Sequence, residues 1–137
     1  MLEYLEALCA LSGVSGWEDA VRDYILREVK PYAAECITDS MGNLLVLRRG
    51  RARRARPFVV AAHMDEVGLI VTGIDEDGLI RFDTVGGIVN AVLFGCRVRL
   101  GGRVGVIAGK AIHQCKGDEQ ETAPKPEALR IDIGAKD

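Results

Sequence analysis

Leu2, Leu5, Leu8 and Leu11 recur at every third position, with Tyr4 and Cys9 beside them. That spacing predicts a short amphipathic helix over residues 2–10. Gly13 and Gly16 break the pattern, and Ser15-Gly-Trp-Glu18 has the S-x-x-E form of a capping box, which predicts a second helix over residues 17–30. Val21, Tyr24, Ile25 and Val29 form its apolar stripe, Arg22, Asp23, Arg27 and Glu28 its polar side, and Pro31 ends it.

The period then shortens. Residues 35–38 and 43–47 read as two strands joined by the Asp-Ser-Met-Gly-Asn turn at 39–43. Residues 58–62, Phe-Val-Val-Ala-Ala, are apolar without interruption, as in strands buried on both faces, and predict a central strand of an α/β sheet. From Val67 the runs are short and β-like: 67–74, 79–83, 96–100, 103–109 and 129–133, with turns at Asp77-Gly78 and Gly101-Gly102. With no helix-length pattern among them, this half is expected to be a small antiparallel barrel or sandwich. Residues 116–127, polar and carrying Pro124 and Pro126, predict a loop excursion from it. The expected organisation is an α/β part over residues 1–66 followed by an all-β part over 67–137.

Composition narrows the function classes. A chain of 137 residues is one domain or part of one. Its 18 basic and 20 acidic residues leave a net charge of -2, so no global field draws it to nucleic acid or to an anionic membrane. Six of the 18 basic residues sit at Arg48, Arg49, Arg51, Arg53, Arg54 and Arg56, a run without aromatics that reads as a solvated loop and not as a nucleic-acid site. No apolar run is long enough to span a bilayer, and Glu3 and Glu6 stand where a secretory signal carries basic residues. A soluble, cytoplasmic protein is expected, with neither membrane nor nucleic acid as partner. Cys9, Cys36, Cys96 and Cys115 contain no C-x-x-C pair and are expected as free thiols acting as small buried hydrophobes. His113 and Cys115, even with Cys96, lack the fourth ligand and close spacing of a zinc site.

The most informative chemistry lies at Ala61-Ala-His-Met-Asp-Glu66. A buried strand that ends abruptly in polar residues delivers them to the sheet edge where open α/β folds bind ligands. In extended backbone His63 and Asp65 project to the same side, Glu66 to the other. A carboxylate so placed holds one imidazole nitrogen while the other binds a metal. The alternative is a hydrogen-bonded core histidine beside an exposed acid. A serine hydrolase is disfavoured, because Gly13-Val-Ser-Gly-Trp17 misses the last glycine of G-x-S-x-G and Ser15 is expected to cap a helix. No G-x-G-x-x-G or P-loop is present to bind nucleotide phosphates.

Leu11-Ser-Gly-Val-Ser-Gly-Trp-Glu18, Asp39-Ser-Met-Gly-Asn-Leu44, Ala61-Ala-His-Met-Asp-Glu-Val-Gly-Leu-Ile-Val71, Val85-Gly-Gly87 and Ile131-Asp-Ile-Gly-Ala135, in that order, resemble the dinuclear-metal TET aminopeptidases, metallopeptidase family forty-two. Members also carry the names glutamyl aminopeptidase, deblocking aminopeptidase and, on older labels, endoglucanase. The resemblance covers the whole chain. It implies an exopeptidase dependent on two zinc or cobalt ions that removes amino-terminal residues from peptides. It also implies an α/β catalytic domain, of which residues 1–66 are the amino-terminal part, with an inserted small β-barrel domain, of which residues 67–137 are expected to be an incomplete portion, through which subunits associate into homo-oligomers. On that resemblance His63 matches the first metal ligand and Asp65 the acidic residue that supports it. The family's other ligands and its glutamate base follow the insertion, and no other position here matches them. The 137 residues alone are therefore expected to supply at most one ligand and to be inactive, with aminopeptidase function belonging to the complete protein. The rival class is a non-catalytic binding or assembly module.

Overall fold

The computed structural model describes residues 1–51, 56–117 and 121–135. Arg53 and Arg54 of the arginine run lie outside them. The chain divides into two compact units, Met1–Glu66 and Val67–Asp137.

The first unit begins with helix α1, Leu2–Ala10, and helix α2, Asp19–Val29. The leucine stripe of α1 is not buried, whereas α2 turns Val21 inward. The expected capping box does not form. Glu18 is the N-cap of α2 and makes no side-chain cap bond, its Oε1 accepting instead from the Gly16 N–H at 2.7 Å. The helix therefore starts two residues later than expected, and Ser15 is released for another partner. Pro31 lies in a 3₁₀ turn, Lys30–Tyr32, that follows α2 directly, its fixed φ being compatible with an initial helical turn. Strands β1, Glu35–Thr38, and β2, Leu44–Leu47, pair antiparallel from Glu35 opposite Leu47 to Thr38 opposite Leu44. Asp39 closes their turn. Its carboxylate accepts from the Met41 and Asn43 N–H groups and from Asn43 Nδ2, each at 2.9 Å.

Residues 58–62 correct the sequence reading. They join no strand ladder among the described residues, and Phe58, Val59 and Val60 are 90, 79 and 82% exposed. A strand buried on both faces needs strands at its edges and layers over its faces, and no described element supplies them. Both sheets observed are antiparallel, the sole parallel pairing among the described residues being an isolated bridge between Val14 and Glu66. The α/β expectation thus reduces here to a mixture of helices and strands.

The second unit is one five-stranded sheet in the order β3-β4-β7-β6-β5. Its strands are β3, Gly68–Ile74; β4, Ile80–Val85; β5, Arg97–Leu100; β6, Arg103–Ala108; and β7, Arg130–Asp132. The short last strand inserts between β4 and β6, pairing Ile131 with both Ile80 and Ile107. Ile80, Phe82, Leu93, Ile107, Leu129 and Ile131 form one buried cluster, flanked by Leu69, Ile88, Val98, Leu100 and Ile133. Strands β3 and β5 are the edges of this order, and no ladder closes them into a barrel among the described residues. Asp75, after β3, pairs with Arg81 of β4 and with Arg130 of β7, tying the hairpin to the inserted strand. The expected loop excursion contains a 3₁₀ turn, Pro126–Ala128, that leads into β7.

The cysteines also depart from expectation. None of the four forms a disulfide, but Cys9 and Cys96 are exposed and Cys36 and Cys115 only half-buried, so none is a core residue.

Candidate metal-ligand site

Two segments far apart in sequence meet in the first unit. The Glu66 N–H donates to the Gly13 carbonyl at 2.7 Å, and the Gly13 N–H donates to Glu66 Oε1 at 3.2 Å. With the Val14–Glu66 bridge, this pair of hydrogen bonds fixes the 13–16 segment in register against 63–66. Gly13 is required by the approach itself: a Cβ there would lie 2.8 Å from Val21 Cγ2 and 3.3 Å from the Met64 carbonyl oxygen. The chain then reverses through Val14-Ser-Gly-Trp17, closed by the Trp17 N–H donating to the Val14 carbonyl at 2.7 Å. Gly16, at the third position with φ of 85°, gives the geometry of a type II turn.

This turn presents Ser15 to the H-x-D pair. Ser15 Oγ donates to Asp65 Oδ2 at 2.6 Å. His63 Nδ1 lies 3.0 Å from both the Asp65 carbonyl oxygen and Asp65 Oδ1. A backbone carbonyl and an ionised carboxylate only accept, so Nδ1 carries the proton and, in the neutral ring, Nε2 carries the free lone pair. The hydrogen bond from Ser15, and after it the His63 ring, hold the Asp65 carboxyl below the usual carboxylate range against the opposing effect of desolvation. The His63 side chain is 85% exposed. Beside it a depression of about 220 Å³ is lined mainly by apolar side chains, among them Leu8, Leu11, Val21, Ile25 and Met64.

His63 and Asp65 therefore come together as their spacing requires. Glu66 does not join them; its carboxylate is spent on the Gly13 amide. Among the described residues no three His, Cys, Asp or Glu side chains gather where they would hold a metal ion. The chemistry of the donors fits one imidazole ligand with its supporting carboxylate, and not a complete centre, since a catalytic zinc takes about three protein ligands. Sequence reasoning missed the contact of Ser15 with Asp65, because its S-x-x-E spacing points to a helix cap. The available signal was its place in the Leu11–Glu18 motif, which is longer than a cap requires.

The chain is similar to known proteins in both sequence and backbone. The family profile of M42 glutamyl aminopeptidase matches residues 42–137. The SgcX protein of Escherichia coli is 38% identical over 98% of the chain, and the lysyl aminopeptidase of Pyrococcus furiosus 31% identical over 97%. The crystal structure of a TET aminopeptidase from a marine-sediment Thaumarchaeota archaeon superposes over 98% of the chain with a TM-score of 0.87 at 34% identity. The Pyrococcus horikoshii TET1 peptidase, which assembles into a tetrahedron or a large octahedral shell, does so over 98% with a TM-score of 0.77 at 35% identity. The chain spans 37 and 39% of the length of the two relatives, and 38 and 41% of the two structures. With a profile match over most of its length and agreement in both sequence and backbone, the chain belongs to the M42 glutamyl aminopeptidase family.

Proposed function

We propose that the complete protein is a metal-dependent aminopeptidase that removes amino-terminal residues from peptides, and that this chain contributes His63 as one ligand of a site for two divalent ions, zinc or cobalt. The observation that carries the reading is the exposed His63 ring with Nδ1 held by Asp65 and Nε2 left free, in a member of this family. Asp65 orients the ring and raises its basicity. Bound divalent ions would polarise the scissile carbonyl and lower the pKa of a water molecule. The remaining ligands and the general base come from polypeptide outside these 137 residues, in keeping with the share of its relatives that the chain spans. Residues 1–66 are then part of the catalytic domain and 67–137 the inserted domain through which copies associate. The assembled forms of the TET1 peptidase support association of copies.

The test is direct. In the complete protein His63→Ala is expected to lower metal content and abolish most turnover of an aminoacyl anilide, while Asp65→Asn lowers metal affinity by about 10- to 100-fold. Unchanged metal content in both variants refutes the assignment of His63. The 137-residue chain alone is expected to show no turnover with added zinc or cobalt. Activity there, lost in His63→Ala, would mean that a second copy completes the site. The alternative, a non-catalytic assembly module, is favoured by the self-contained core of residues 67–137. It predicts a complete protein that assembles but never turns over peptide.

A further inference from the structure

We infer that Ser15 is a positioning residue for His63, acting through Asp65: its hydroxyl fixes the carboxylate so that Oδ1 holds the imidazole Nδ1 and Nε2 faces outward as a ligand. This rests on the reading of His63 as a metal ligand. A carboxylate two residues from a histidine has a choice of roles, because each of its oxygens can accept a hydrogen bond or bind an ion directly. Here both are committed. Oδ2 accepts from Ser15 Oγ at 2.6 Å, and Oδ1 faces His63 Nδ1 at 3.0 Å. Asp65 is half-exposed, and the hydrogen bonds to Ser15 and His63 are the two that hold its carboxylate. The hydroxyl therefore selects the orienting role over direct ligation.

The placement of Ser15 is itself built. The paired bonds between Gly13 and Glu66 set the register, the Trp17–Val14 bond closes the turn, and the absence of a Ser15 cap on α2 leaves the hydroxyl free for Asp65. None of these interactions touches the imidazole. Their common effect is to bring one hydroxyl to the carboxylate oxygen that the imidazole does not use. A ring so held favours one tautomer through two acceptors at Nδ1, whereas a carboxylate released to rotate leaves only the Asp65 backbone carbonyl, 3.0 Å from Nδ1, to hold it.

Ser15→Thr and Ser15→Val provide the test, since they have the same shape and differ in the hydroxyl. The first readout is ¹⁵N NMR of the histidine rings in the metal-free chain. Ser15→Thr is expected to keep His63 with Nδ1 protonated and Nε2 unprotonated, and Ser15→Val to average the two nitrogen shifts toward a mixture of tautomers. The Gly13 amide shift, which reports the clamp to Glu66, is expected to stay in place in both. The second readout is zinc affinity of the complete protein by chelator competition, expected to fall by about 10-fold in Ser15→Val and to be retained in Ser15→Thr. Equal tautomer patterns and equal affinities in the two variants, with His63→Ala still losing metal, overturn the positioning role alone. Metal binding that survives His63→Ala overturns the reading of the site and this inference with it.

Discussion

The two units of the chain solve opposite problems. The second, residues 67–137, encloses six buried apolar side chains within its own sheet and connections, three of them, Ile107, Leu129 and Ile131, at 1% exposure or less. The first carries the candidate chemistry, yet Val21 is its only buried apolar residue among those described. Phe58, Val59 and Val60 stand exposed there, as do Ile37, Leu45 and Leu47 of the hairpin. Each core residue of the second unit contributes roughly 1.5–3 kcal/mol from burial, a contribution that in the first unit comes from Val21 alone among the described residues. The first holds its site by backbone and side-chain hydrogen bonds between segments about fifty residues apart, which supply precision but little net free energy.

The largest expected effect breaks this contrast at its centre. Leu129→Ala should destabilise the second unit by about 2–5 kcal/mol through lost burial and the cavity left behind. Phe58→Ala should stay within about 0.5 kcal/mol, as for an exposed residue. Urea unfolding of both variants checks this, and comparable losses would mean that residues 58–62 are covered in solution.

Association sharpens the same contrast. An exposed apolar segment with unpaired backbone groups recruits other chains, so the 137-residue chain should self-associate with rising concentration. Val60→Lys should weaken that association by about 100-fold or more, since an uncompensated buried charge costs roughly 3–5 kcal/mol and each factor of ten is about 1.4 kcal/mol. Sedimentation velocity across a concentration series is the measurement; a compact monomer throughout would contradict it.

A smaller, pH-dependent effect belongs to the hairpin of the first unit. Asp39 is held below the usual carboxylate range, chiefly by the Asn43 side-chain amide and then by backbone N–H groups. Because the folded-state pKa is depressed, the stabilisation is complete above about pH 4, the ordinary value for aspartate, and is lost as pH falls through the lowered one. The Met41 and Asn43 amide shifts should titrate together in that acid window, and Asp39→Asn should remove the transition. The core strands of the second unit should show no matching change.

The smallest effect is expected in the arginine run. Replacing Arg48, Arg49 and Arg51 with serine should leave stability within about 0.5 kcal/mol and hydrolysis by the complete protein intact. Tight, steeply salt-dependent DNA or RNA binding by the unaltered chain would instead make the run a nucleic-acid site.

Local pattern by itself determined the two helices, the hairpin at 35–47, the short strands after Val67 and the pairing of His63 with Asp65, because each depends on residues within a few positions of one another. Periodicities of three to four and of two are properties of a single segment, and an H-x-D pair faces one way whenever its backbone is extended. Tertiary structure decided the rest. Residues 58–62 read as a buried strand because hydrophobicity records a preference for burial and not the presence of neighbours to provide it. The insertion of β7 between β4 and β6 is equally invisible in pattern, since strand order depends on which edges meet across long loops. Ser15 shows the principle at one residue: its hydroxyl satisfies a local helix cap or a distant carboxylate with equal chemical ease, and the Gly13–Glu66 clamp, formed across 53 positions, chose the carboxylate.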